Sequence, residues 1–387
     1  MKADVLVAGA GFAGATVARR LAEAGRTVVV VDPRSHVGGN AFDEPDAHGI
    51  LVHRYGPHLF RTSDPAVFRF LSRFTRWRKY EHRVVACVEG RHYPLPVNLD
   101  TLNRLYGTEL DEAGAMAHFE RVREERDPAR TCEDVFLSRV GRHLYETFFR
   151  GYTRKQWGRE PSQIDASVAR RIPVRTNRDD RYSTDRFQAM PRHGYAALFL
   201  RMLDHPNITV LLETDHAEAR RTVRAGHAFH TGPLDAYFGH RLGPLPWRSL
   251  RFESYHLPAV ERHLPAGTVN YPGPEPYTRE TEYKTLTGQR HAGTTIVREF
   301  PVARGDPHYP VHGPESEAWA ASYRALAQSE DGVTFLGRLG RFDYLDMDRV
   351  VAQSLDAAGR YLSGGASVEV VPRLARLPET NYGPTAN

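Results

Sequence analysis

Residues 151–160 read GYTRKQWGRE and bring Tyr152, Thr153, Lys155, Gln156 and Trp157 into one short stretch. An apolar core has little use for Lys or Gln, and a solvated loop has little use for Trp and Tyr. A ligand that is both flat and polar suits all five, because aromatic faces stack on a base or sugar while hydroxyls and amides satisfy its edges. Near the start of the chain, Gly9, Gly11 and Gly14 form a G-x-G-x-x-G run, and Asp32 follows further on. Glycines at this spacing allow a tight turn, admit a pyrophosphate close to the backbone and let a helix pack on a strand, with the helix N-terminus facing the anion. A carboxylate at the end of the next strand can accept from ribose hydroxyls. The chemistry indicated is dinucleotide binding at one end of the chain and nucleotide or sugar contact near its middle.

The elements that must position these residues follow from the pattern around them. DVLVAGAGFAGATVARRLAEAGRTVVVVDPR predicts a strand over 4–8, a helix whose apolar face includes Ala15, Val17, Ala18 and Leu21, and a strand over 27–31, which together make a βαβ unit. A hairpin is expected over 84–88 and 91–95, with Glu89 and Gly90 at its turn. Helices with charged outer faces follow from about 99 to 156. Strands are predicted over 207–214, 224–230, 248–256, 267–271, 277–284 and 294–300, then a helix near 315–328, a strand over 333–337 and a last helix from Met347. The ending from about 364 is weakly patterned and reads as a loosely held tail.

Composition narrows the function classes. The chain has 387 residues, 41% of them hydrophobic, and no apolar run approaches the length of a membrane span. It runs from its first residues straight into a strand and glycine turn, without a secretory leader pattern, so a cytoplasmic location is expected. The net charge of +5 is spread along the sequence without a basic tail or run, which argues against nucleic-acid binding. Cys87 and Cys132 are too few for a disulfide framework or a cysteine metal site, and no metal is expected.

A second glycine pair, in Val37-Gly38-Gly39-Asn40, follows the second strand as it does in FAD enzymes. Together with YGPHLF (55–60), YPLPVN (93–98), RGYTRKQWG (150–158), RRIPVR (170–175), TGPLDAYF (231–238), PYTRE (276–280), YPV (309–311) and GRLGRFDYLDM (337–347), the chain resembles the UDP-galactopyranose mutase family. The matches run in order from residue 1 to about 355. The resemblance implies interconversion of UDP-galactopyranose and UDP-galactofuranose through a covalent adduct between the sugar and N5 of reduced FAD, with no net redox change. It also implies a reductant such as NAD(P)H or a flavin reductase, and a homodimer. The cofactor would lie along Gly9, Gly11, Phe12, Ala13, Gly14, Asp32, Gly38, Gly39, Asn40, His58, Arg338, Asp346 and Met347. Arg171 and Arg279 would grip the diphosphate from opposite sides, with His58 beside the flavin ring. His82, Phe148, Tyr152, Thr153, Trp157, Tyr182, Asn270, Tyr309, Tyr344 and Asp346 would line the substrate cleft.

The resemblance also implies an α/β architecture. An FAD-binding Rossmann-type domain is expected from 1–80, 190–247 and 315–364, with an inserted helical domain over 99–158. An antiparallel β-sheet domain is expected from 81–98, 159–189 and 248–314, with a lid at 162–174 and a tail at 365–387. Departures from the family's usual residues gather on the substrate side, at Arg61, Asn177, Arg178, Ser183, Glu280 and His308. Loss of an aromatic at Ser183 predicts weaker apolar contact with uracil. A mutase for another nucleotide sugar, such as a dTDP- or UDP-linked deoxysugar, is therefore the first alternative. An FAD oxidoreductase of the amine-oxidase type and a non-catalytic nucleotide-sugar binder are the others.

Overall fold

The computed structural model describes residues 1–364. Its first layer is a five-stranded sheet in the order Ile208–Leu212, Val28–Asp32, Lys2–Ala8, Arg224–His230 and Val333–Phe335, with every neighbouring pair parallel. The run Val28–Asp32 is buried along its whole length, as a strand covered on both faces requires. The helix Phe12–Glu23 lies on this sheet through Ala15, Val17, Ala18 and Leu21, all fully buried. It packs in turn against the helices Gly194–Leu203 and Met347–Leu362.

A seven-stranded sheet follows the order Tyr309–Pro310, Trp247–Leu257, Thr294–Val302, Arg279–Glu282, Thr268–Asn270, Val84–Val88 and Arg91–Leu95. It is antiparallel except where Thr268–Asn270 meets Val84–Val88. Three short strands, Phe60–Thr62, Phe187–Pro191 and Trp77–Lys79, form a further sheet. A helical block packs against the seven-stranded sheet. Leu99–Tyr106 and Cys132–Leu144 each start at a capping box, on Asn98 with Thr101 and on Thr131 with Asp134. The latter helix kinks at Gly141, where φ is 73° and a Cβ would lie 2.3 Å from the Val122 carbonyl oxygen. It continues through a wide π-type turn, Tyr145–Arg150, into Gly151–Trp157, and Gly158 ends it in the left-handed region.

Among the expected strands that end early, two show the cause in their side chains or backbone. The strand predicted over 277–284 stops at Glu282, and Tyr283–Thr287 is helical. The Glu282 carboxylate accepts from the backbone N–H groups of His263 and Leu264, both at 3.0 Å, so the chain is anchored there, and Tyr283 turns inward to donate to the His53 carbonyl at 3.2 Å. The strand predicted over 333–337 stops at Phe335, because Gly337 takes a φ of 77° and opens the short helix Gly337–Arg341. The predicted tail at 365–387 lies outside the described residues. Among the described residues, no helix is long and apolar enough to cross a membrane.

Candidate functional site

At the carboxyl ends of the parallel strands lies a cleft of about 610 Å³, lined by Gly9, Gly11, Phe12, Ala13, Asp32, Gly38, Gly39, Asn40, His58, Arg338 and Met347 among others. Its floor is backbone. A Cβ on Gly9 would lie 2.0 Å from Thr231 Oγ1, and one on Gly39 would lie 3.2 Å from the Gly11 Cα. Gly14 does not line the cleft. It sits beneath it, where a Cβ would lie 1.8 Å from the Gly9 carbonyl oxygen, and so serves the helix–strand packing that holds the turn closed. The helix Phe12–Glu23 begins at Gly11 with no side-chain cap and no acidic residue in its first turn, which leaves its N–H groups for an anion. The Asp32 carboxylate accepts from the N–H groups of Ala10 and Arg34 at 2.8 and 3.0 Å and keeps further lone pairs for a ribose. Both ring nitrogens of buried His230 lack a hydrogen-bond partner along the same cleft. A glycine cradle, an uncapped helix end, a carboxylate and unused polar atoms together fit a dinucleotide cofactor.

A second wall is made of side chains. Trp157 packs against Tyr309 and Tyr344 at ring distances of 6.1 and 5.9 Å, and the two tyrosines stack at 5.7 Å. Arg171, just past the helix Ala166–Arg170, lies 4.1 Å over the Tyr344 ring and donates to Asp346 Oδ1 at 2.5 Å. Arg338 donates twice to the Leu345 carbonyl, at 3.0 and 2.6 Å, and lies 5.0 Å over the Tyr344 ring. It joins this wall to the cofactor cleft. Arg279 comes from the seven-stranded sheet and donates to the Tyr152 hydroxyl at 2.7 Å. Its Nε lies 3.3 Å from Glu299 Oε1, within ion-pair reach but outside hydrogen-bond geometry, so neither atom has a hydrogen-bond partner.

Burial and neighbouring charge set the protonation states. Burial pulls Arg279 down, but the Glu299 carboxylate together with Tyr152, Tyr309 and Tyr182 outweighs it and holds the guanidinium well above its ordinary value. Burial pushes Glu299 up and Arg279 only partly offsets this. Asp346 would also be raised by burial, yet Arg171, Arg61 and Arg338 hold it below the usual carboxylate range. His82 is pushed down to about 3 by burial and by Arg279. His58 is pushed down to about 4 by burial, against the Gly56 carbonyl on its Nδ1 at 2.8 Å and assisted by Arg338. Both imidazoles are neutral near neutral pH.

The remaining predicted residues divide. Tyr182 is exposed and its N–H donates to the His82 carbonyl at 2.8 Å, while its ring meets His82 edge-on at 5.9 Å. Asn270 sits directly opposite Arg279 in the sheet. Thr153 is buried beside the wall. Phe148 is interior, 3% exposed and packed edge-on against Tyr93. Lys155 does not face a ligand: its Nζ donates to the carbonyls of Tyr271, Glu275 and Tyr277 at 2.6, 2.9 and 3.1 Å, fastening the loop that leads to Arg279. Ser183 turns its hydroxyl to Asp185 at 2.7 Å, Arg178 pairs with Asp100, and Glu280 is a buried acceptor for Tyr255, Tyr271 and Arg298. Sequence reasoning missed Glu299, the counter-charge of Arg279, and Asp185, which pairs with Arg61. The only signal for Glu299 was an acidic residue beside Arg298 in a strand whose nearest other neighbours, Ile296, Val297 and Phe300, are apolar. Among the described residues, no group of three or more His, Cys, Asp or Glu side chains is placed to hold a metal.

Comparison with known proteins gives the family and the fold. The family profile for UDP-galactopyranose mutase matches residues 147–344, just over half of the chain, and one for an NAD(P)-binding Rossmann-like domain matches residues 7–74. A probable UDP-galactopyranose mutase of Klebsiella pneumoniae is 38% identical over 381 residues, covering 95% of this chain and 97% of the relative. A dTDP-fucopyranose mutase of Escherichia coli is also 38% identical, over 371 residues, covering 92% and 98%. The fold matches a crystal structure of reduced UDP-galactopyranose mutase with a TM-score of 0.76 at 16% identity, covering 93% of this chain and 96% of that one. A putrescine oxidase shares the fold at a TM-score of 0.54 and 13% identity, covering 94% and 99%. With both walls in place and relatives that match along nearly the whole length, this chain belongs to the UDP-galactopyranose mutase family and is a flavin-dependent sugar mutase.

Proposed function

We propose that the chain interconverts UDP-galactopyranose and UDP-galactofuranose on reduced FAD, without net redox change. The supporting observation is the placement of two guanidiniums, Arg171 and Arg279, on separate elements either side of the Trp157, Tyr309 and Tyr344 cluster. Each can donate bidentately to phosphate oxygens, and together they stabilise a diphosphate that gains charge as it leaves. The Tyr309 and Tyr344 hydroxyls add donors without mobile charge. When bound, reduced flavin supplies a nucleophile toward the anomeric carbon. Neutral His58 offers a hydrogen bond beside the ring without repelling it, and residues 162–174 act as a lid that brings Arg171 over the diphosphate and keeps water out. The reading calls for a cellular reductant, NAD(P)H or a flavin reductase.

A second reading, a mutase for a dTDP-linked deoxysugar, is favoured by Ser183 in place of an aromatic and by equal identity to the Escherichia coli dTDP-fucopyranose mutase. Dithionite-reduced, flavin-loaded protein incubated in parallel with UDP-galactopyranose and dTDP-fucopyranose distinguishes them. The expected outcome is furanose product from the UDP sugar, catalytic rather than stoichiometric in reductant, with the air-oxidised protein nearly silent. Turnover of the dTDP sugar alone overturns the first reading in favour of the second. Equal rates in both redox states would remove the role of the reduced flavin.

A further inference from the structure

Asp346 holds two guanidiniums, one on each carboxylate oxygen: Arg171 on Oδ1 at 2.5 Å and Arg61 on Oδ2 at 2.8 Å. The two arginines are mounted differently. Arg171 follows a five-residue helix, whereas Arg61 is in a strand paired with Phe187–Pro191, directly opposite Gln188. Arg61 is fixed at its far end as well, donating to Asp185 Oδ2 at 2.6 Å. Asp185 is held by the hydroxyls of Ser63 and Ser183 at 2.9 and 2.7 Å, and Gln188 closes that turn by donating to the carbonyls of Ser183 and Asp185, both at 3.0 Å. Arg61 and Ser183, separate oddities in the sequence, thus belong to one network ending on the carboxylate that holds Arg171.

We infer that Arg61 is a positioning residue that keeps Asp346 neutralised while Arg171 transfers from Asp346 to the substrate's diphosphate. The inference rests on the proposed contact between Arg171 and the diphosphate. Asp346 is only one-third exposed, and a carboxylate so placed is costly to leave when its cation departs. With Arg61 anchored by Asp185, the departure of Arg171 leaves Asp346 still paired. Without Arg61, Asp346 competes with the incoming diphosphate for Arg171. Arg61 thereby assists anion binding without touching the anion.

A binding cycle on the flavin-loaded protein, with UDP and dTDP as probes, tests this. Arg61→Gln is expected to weaken UDP binding about tenfold in the native background and less than about twofold in an Asp346→Asn background, where no carboxylate competes for Arg171. Arg61→Lys should recover affinity to within about threefold of wild type. An equal loss in both backgrounds means that Arg61 attracts the anion directly and overturns the inference, as does no loss in either. Arg171→Gln separates the two levels: if it binds UDP as well as wild type, the diphosphate assignment has failed and the role of Arg61 falls with it. If it weakens UDP binding while Arg61→Gln does not, only the Arg61 role is wrong. Should Arg61→Gln fail to retain flavin, Asp185→Asn, which frees Arg61 from its anchor while leaving Asp346 intact, still decides: it should weaken UDP binding severalfold, and wild-type affinity would refute the role of Arg61.

Discussion

The two walls of the site are made of different materials. The cofactor side is shaped by backbone, with Gly9 and Gly14 where a Cβ would collide and Gly39 where one would crowd the Gly11 Cα, and by a helix end that no side chain caps. The substrate side is shaped by long side chains brought together from residues 152 to 346, with Arg171 and Arg279 each balanced by a carboxylate. A backbone-built wall constrains conformation and little else, so it serves any ligand with the same pyrophosphate. A side-chain wall sets charge and shape one residue at a time. The departures at Arg61, Ser183 and Glu280 all fall outside the backbone-built wall, so on the proposed reading they bear on substrate choice and not on the glycine cradle.

The contrast is broken most severely by adding bulk to the backbone side. Gly14→Val places side-chain atoms against the Gly9 carbonyl, a neighbour that cannot move aside, and the purified protein is expected to carry no flavin. Visible flavin absorbance per chain measures this, and a fully loaded Gly14→Val protein would show that the cradle is not closed by packing.

The substrate side should fail differently. Arg279→Gln is expected to lower turnover about a hundredfold, the loss of one charged donor to developing charge. Because Glu299 is 2% exposed and Arg279 is its ion-pair partner, the same change should also cost about 3 kcal/mol of stability. Adding Glu299→Gln should restore the urea midpoint but not the rate. Recovery of both together would mean that Arg279 matters only for folding.

Acid sharpens the comparison by the smallest step. Burial pushes His230 on the cofactor side down to about 3, and His82 and His308, outside the cofactor cleft, down to about 3 and 4, from an ordinary 6.5. These folded values lie below the unfolded one, so the unfolded chain takes up protons first. Stability is intact above about pH 6.5 and falls as the pH drops toward the folded values, by about 2 kcal/mol per histidine at about pH 5. Thermal midpoints across this range should fall for wild type, and His82→Asn should make the fall smaller by one histidine's share, about 2 kcal/mol at about pH 5. An unchanged slope would place the acid sensitivity elsewhere.

The legibility of the sequence follows the same division. The βαβ turn could be read because glycine spacing there encodes backbone conformation locally, and the resemblance carried Arg171, Arg279 and the tyrosines to one wall. Ser183 was harder, because its partners are Asp185 and, through it, Arg61, and no local pattern connects residues 61, 185 and 346. Lys155 and Trp157 share one short helix yet do different work, since Lys155 is drawn to three carbonyls of a loop more than a hundred residues away. The early end of the strand at Glu282 was hidden for a similar reason: its carboxylate is anchored by residues 263 and 264, while the local alternation continues past it.

The uncapped start of the helix Phe12–Glu23 has a consequence for the life of the protein in a cell. A helix end that waits for a cofactor's anion makes the folded state depend on how much cofactor is present. Binding only to the folded chain stabilises it by about 4 kcal/mol when free ligand exceeds its dissociation constant a thousandfold, and by nothing when ligand is absent. Chains synthesised during flavin shortage therefore open more often and present their backbone to proteases. The steady-state amount of this protein should follow vitamin supply, and sugar-ring isomerisation would be limited by protein turnover before any change in the enzyme's own rate.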